Sequence, residues 1–77
     1  MLPDYILEYL RRHTPVHLHN LLDDPETTFE ALQLDALCPV ELAMLIEDET
    51  DTEIADETYE AWTCLADLVL ALAACGA

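Results

Sequence analysis

A chain of 77 residues with a single glycine has few positions suited to the positive-φ conformations of tight β-turns. With only four prolines as further punctuation, a turn-rich all-β fold is disfavoured. What recurs instead is helical spacing. Tyr5, Ile6, Tyr9 and Leu10 share one face of a helix. Pro3 suits its first turn, and Asp4 there complements the positive end of the dipole. Arg11, Arg12 and His13 suit the last turn, and Thr14-Pro15 stops it. The pattern predicts a first helix over residues 3–13.

Residues 14–34 form a long connection, with turn chemistry at Asn20 and Asp24-Pro25. Leu18, Leu21, Leu22, Phe29, Leu32 and Leu34 are too apolar for a solvated linker. A short helical piece over Val16–Leu22 is expected, and Phe29–Leu34 should fold onto the core. Asp35 is a good N-cap for a second helix running to about Glu49, with Pro39 tolerated in its first turn. Leu42, Leu45, Ile46 and Glu49 trace one side of it; Val40, Met44 and Asp48 trace another. Thr50–Ala55 is a break. Asp56 can cap a short third helix, Glu57–Ala61. Thr63 can cap a fourth, whose buried stripe is Leu65, Leu68, Val69 and Leu72. Trp62 reads as a core residue at the junction of the third and fourth. Hydrophobic residues make up 53% of the chain, enough for one small core without disulfides or metal. The expectation is a single all-α domain over 1–77, a small four-helix bundle of three longer helices and one short one.

The formal charge of −15 disfavours nucleic acid and anionic membrane surfaces and favours basic partner proteins. It also opposes self-association, so a monomer is expected. Cys38, Cys64 and Cys75 form no CxxC pair, which fits free thiols in a reducing compartment. The apolar run Leu68–Cys75 is too short to span a bilayer, and no secretory signal is visible at Met1-Leu2-Pro3-Asp4. A cytoplasmic protein is the expectation. His13, His17 and His19, with Asp23 and Asp24, could suggest a metal site, but Pro15 breaks the shared face that His13 and His17 would need. Solvated loop histidines are the preferred reading, and no metal is expected. No glycine-rich phosphate loop or catalytic triad is present, so an enzyme is the least supported class.

One segment carries more specific information. Leu32 stands three residues before Asp35-Ala36-Leu37, which is followed by Val40-Glu41-Leu42, Met44 and Glu47-Asp48-Glu49. Asp51-Thr52-Glu53-Ile54, Asp56-Glu57 and Thr63-Cys64-Leu65 come next. From Asp35 to Leu72, about half the chain, this pattern resembles the acyl carrier proteins. The N-terminal half matches in layout alone. The family carries Asp-Ser-Leu where this chain has Asp35-Ala36-Leu37, and its serine hydroxyl forms a phosphodiester with phosphopantetheine. A methyl group at 36 cannot. Other departures are Gln33 in place of a usual glycine, Cys38-Pro39 in place of a polar pair, Thr50 in place of a phenylalanine and Ala55 in place of a proline.

The resemblance implies a carrier-like module with no cofactor as it stands, and with phosphopantetheine only if position 36 were serine. Asp35, Ala36 and Leu37 would be the attachment segment. Nine acidic residues lie between Glu41 and Glu60. By themselves they read as a solvated face. In the family this surface docks on basic patches of synthases, transferases and the phosphopantetheinyl transferase. Glu41, Glu47 and Asp48 would carry that role here, with Val40 and Met44 as apolar anchors, although helical spacing alone would bury those two. Three readings stay open. One is a docking module of fatty-acid or polyketide-type synthesis without its arm. Another is an ordinary carrier with an engineered serine-to-alanine block. The last is a small protein that holds a fatty acyl ligand without a covalent bond. Cys38, in the first turn of the second helix, could be a substitute acyl acceptor, but an incidental thiol is the preferred reading.

Overall fold

The structure, a computed structural model, describes residues 2–76. Four α-helices form: α1 Asp4–His13, α2 Cys38–Thr50, α3 Asp56–Glu60 and α4 Leu65–Ala74. A 3-10 helix, Val16–Asp23, follows α1 directly, where the sequence implies a helical piece to Leu22. α1 packs on this segment and on α2, and α2 packs on α3. The result is the expected small all-α bundle. Among the described residues the sole strand-like pairing is an isolated bridge between Thr28 and Cys64.

The core is built from the predicted faces. Ile6 and Leu10 of α1 are buried, as are Leu42 and Ile46 of α2 and Leu65, Leu68 and Leu72 of α4. Trp62 joins them, and Val69 lies half-buried at the edge. Two changes alter the α2 face. Glu49 is exposed, and Cys38 and Ala43 are buried, so the stripe that turns inward is Cys38, Leu42 and Ile46 with Ala43 beside it. That is an i, i+4 row extended by one neighbour.

The long connection is structural throughout. Thr28 caps one helical turn by accepting the Ala31 N–H on its hydroxyl at 3.1 Å. The turn closes with Gln33 N–H donating to the Glu30 carbonyl at 3.0 Å and Leu34 N–H to the Phe29 carbonyl at 3.1 Å. These two bonds make a Schellman ending, with Gln33 at the left-handed position, φ 61°. Its apolar partners, Phe29 and Leu34, both pack on the core. The connection also serves α4. Leu65 N–H donates to the Thr27 carbonyl at 3.0 Å and Ala66 N–H to the Pro25 carbonyl at 2.8 Å. These are first-turn donors that have no partner within the helix.

Three expected caps are corrected. Asp35 is not the N-cap of α2. The helix starts at Cys38 with Leu37 at the N-cap position, and Asp35 instead closes an Asx turn by accepting the Leu37 N–H at 2.9 Å. Asp56 lies inside α3, with Ala55 before it, so it acts there as a first-turn acid. For α4 the N-cap is Cys64, not Thr63. Asp67 makes that cap work by reaching back. Its Oδ2 accepts the backbone N–H of Thr63 at 2.8 Å and of Cys64 at 3.2 Å. A capping acid three residues into the helix satisfies donors that the cap residue alone would leave open.

The hydrogen bond from the Thr63 backbone holds the Asp67 carboxyl below its ordinary value of 3.8, against a smaller opposing effect of burial. A depressed folded pKa gives stability that is present above the unfolded value and lost as pH falls through the folded one. Asp67→Asn should therefore be less stable than the parent by about 1 kcal/mol near neutral pH. The gap should begin to narrow below about pH 4 and go on closing as pH falls through the lowered value of the folded carboxyl. Urea melts of both proteins near pH 7 and near pH 3 check this. A gap of equal size at both would refute the cap.

Candidate functional site

The Asx turn at Asp35 presents the segment that leads into α2. Cys38 N–H donates to the Asp35 carbonyl at 3.2 Å, so residues 35–38 turn tightly and Ala36 lies outside, exposed. Leu37 is 65% exposed beside it. Pro39 occupies the second helical position, where a missing N–H costs nothing. The positive end of the α2 dipole therefore opens next to Ala36.

The acidic face runs from this end. Glu41, Asp48 and Glu49 are exposed, and Met44 is 59% exposed among them. Val40 is half-buried, so of the two expected anchors Met44 is the more open. Leu37, assigned above to the attachment segment, is a further exposed apolar side chain just before α2. Two of the acids also have structural partners. Glu47 Oε2 accepts the Ile54 N–H at 2.7 Å and pins the 51–55 loop to α2. Glu41 accepts the Tyr9 hydroxyl at 2.6 Å, which ties α2 to α1. Among the described residues the one ion pair is Arg12 with Glu8 on α1, so none is made on the α2 face there.

Cys38 is 1% exposed, and burial pushes its thiol up, with the Tyr9 hydroxyl opposing in part. A protonated, covered thiol is a poor acyl acceptor at neutral pH, which agrees with the incidental reading. His19 is held by its Nε2, which lies 2.9 Å from the Thr14 carbonyl and 3.1 Å from that of Arg11. It thus braces the turn after α1 and has no other histidine as partner. An open groove of about 310 Å³ lies elsewhere, between the 51–55 loop, α3 and the end of α4. Thr52, Ile54, Ala55, Thr58, Ala71 and Cys75 are among its walls.

The family model for the phosphopantetheine attachment site matches residues 4–72. The chain belongs to that family. No significant match was found among curated proteins or among solved structures. Membership makes it a carrier-type module, of a kind that works through synthase-type partner enzymes. The match reaches back to residue 4, across the N-terminal half where the sequence resemblance was one of layout. In this carrier-type chain the group itself meets an obstacle. The 77 residues contain no serine at any position. The residues present therefore do not fit covalent attachment through a serine oxygen. No helix among the described residues is long and apolar enough to cross a membrane.

Proposed function

We propose that the chain is a carrier-like docking module that has lost its arm. Ala36 stands at the attachment position, and α2 retains the surface that partner enzymes bind. The observation that carries this reading is the pairing of an exposed, unreactive Ala36 with an intact acidic face around Met44. The partners are basic surfaces of synthases, transferases or the phosphopantetheinyl transferase of fatty-acid or polyketide-type synthesis. The module performs no reaction itself; it occupies carrier-docking sites. A cytoplasmic monomer is consistent with the charge.

Each exposed ion pair in such a complex contributes roughly 0–1 kcal/mol, and the joint field acts chiefly on association rate. Asp48→Lys combined with Glu41→Lys should slow association with a carrier-dependent synthase on the order of tenfold at low salt. Added salt should erase most of the difference. Glu41→Lys would also release the Tyr9 hydroxyl, and Glu47→Lys the Ile54 N–H, so a melting curve of the double variant must first show that the fold is kept. Unchanged association of the double variant across a panel of synthases, transferases and a phosphopantetheinyl transferase would sink the reading.

The groove beside Ile54 favours a second reading, a fatty acyl ligand held without a bond. Thermal stabilisation by free fatty acids that depends on chain length would support it, and its absence would remove it.

A further inference from the structure

We propose that His13, Cys38 and Glu41 form a divalent-metal site, suited to zinc, where the end of α1 meets the start of α2. A nitrogen of His13, the sulfur of Cys38 and a carboxylate oxygen of Glu41 all lie within 4.8 Å of one another. Bonds of about 2.0–2.3 Å in a tetrahedral site put ligand atoms about 3.5 Å apart. The three groups must close by roughly 1 Å, which rotation of two exposed side chains supplies. Cys38 is the buried wall of the notch, while His13 and Glu41 are exposed, so an ion enters from solvent and keeps an open fourth position.

The donor set selects the ion. Thiolate and imidazole favour a borderline-soft metal, and calcium or magnesium would want oxygen throughout. Thiolate and carboxylate together bring two negative charges, which balance a divalent cation. The thiol proton leaves to solvent on binding, since a coordinated thiol is deprotonated by the ion. Neighbours already orient the ligands. The His13 ring stacks on Tyr9 with centroids 4.2 Å apart. The Tyr9 hydroxyl donates to Oε1 of Glu41 at 2.6 Å, an outer-shell contact of the sort that holds metal-binding carboxylates. The chain's strong negative charge raises the local concentration of cations. Sequence spacing grouped His13 with His17 and His19. The fold instead brings it to two residues far along the chain. An ion here would draw Glu41 out of the proposed docking face, but the site itself does not depend on that reading.

Titration of the chelator-treated protein with cobalt(II) tests the proposal. A thiolate-to-cobalt charge-transfer band should appear, saturate at one ion per chain and be displaced by zinc. It should survive in Cys64→Ser/Cys75→Ser, which keeps Cys38 as the sole thiol. His13→Ala, at an exposed position that does not threaten the fold, should weaken binding at least tenfold, as should Glu41→Gln. Cys38→Ser should abolish the band. Zinc should raise the melting temperature of the parent and leave that of His13→Ala unchanged. No band at saturating cobalt would overturn the site. So would a band lost in the Cys64/Cys75 double variant, or binding indifferent to His13→Ala.

Discussion

Ala36→Ser, incubated with coenzyme A and a broad-specificity phosphopantetheinyl transferase, is expected to gain the mass of one phosphopantetheine. The parent protein should gain none, because it offers no serine. The reasons are geometric. Residue 36 is exposed on the outside of an Asx turn that Asp35 closes without help from the side chain at 36. A hydroxyl there would stand at the positive end of the α2 dipole, which favours a phosphate. The acidic face that a basic transferase would approach is solvent-exposed along Glu41, Met44 and Asp48. Intact mass spectrometry reads the result directly. Quantitative conversion means that one side chain blocks the arm, which suits a recent loss or an engineered change. A folded serine variant that stays unmodified would mean that the surface around Gln33, Cys38 and Pro39 has also diverged. The protein would then have to be treated as a carrier fold with a different partner.

The double variant Gln33→Gly/Asp51→Gly should be more stable than the parent by about 2 kcal/mol. Both residues sit at left-handed backbone, φ 61° and 53°, at the two approaches to α2. A side chain such as glutamine pays about 1–2 kcal/mol there, and glycine pays less, offset in part by its greater freedom in the unfolded chain. Asp51 tolerates the conformation better, but its charge opposes the negative end of the α2 dipole, where no basic residue stands. The two sites are separated by a 13-residue helix, so their effects should add. For a domain of this size the gain corresponds to roughly 10 °C in melting temperature. A melting temperature at or below that of the parent would refute the strain at both positions. The glycine that carrier proteins usually have at the position of Gln33 thus has a backbone reason, the left-handed end of a Schellman turn.

Cys38 shows how chemistry and packing separate. In the linear chain its place in the first turn of α2 left it open as a substitute acyl acceptor. In the fold, burial raises its thiol pKa, and the hydrogen bond with Tyr9 opposes this only in part. Glu47 separates in the same way. The resemblance assigns it to the docking face, yet it also holds the Ile54 backbone.

The amino-acid order by itself determined the all-α class, the extent of α1, most of the buried stripes and the carrier-type character. Those follow from local periodicity, proline placement and a motif read residue by residue, and none requires knowing which segments meet. Helix starts were misplaced at Asp35, Asp56 and Thr63, because several acids and threonines near each start could cap it. Yet the N-cap positions of α2 and α3 hold Leu37 and Ala55, whose side chains make no cap hydrogen bond, so capping chemistry could not mark those starts. The tertiary structure decided the rest: the service of the Pro25–Thr27 carbonyls to α4, the burial of Cys38 and the meeting of His13, Cys38 and Glu41. Each joins groups far apart in the chain. Such contacts leave no periodic trace in sequence, since they arise only when buried apolar faces bring α1, α2 and α4 together.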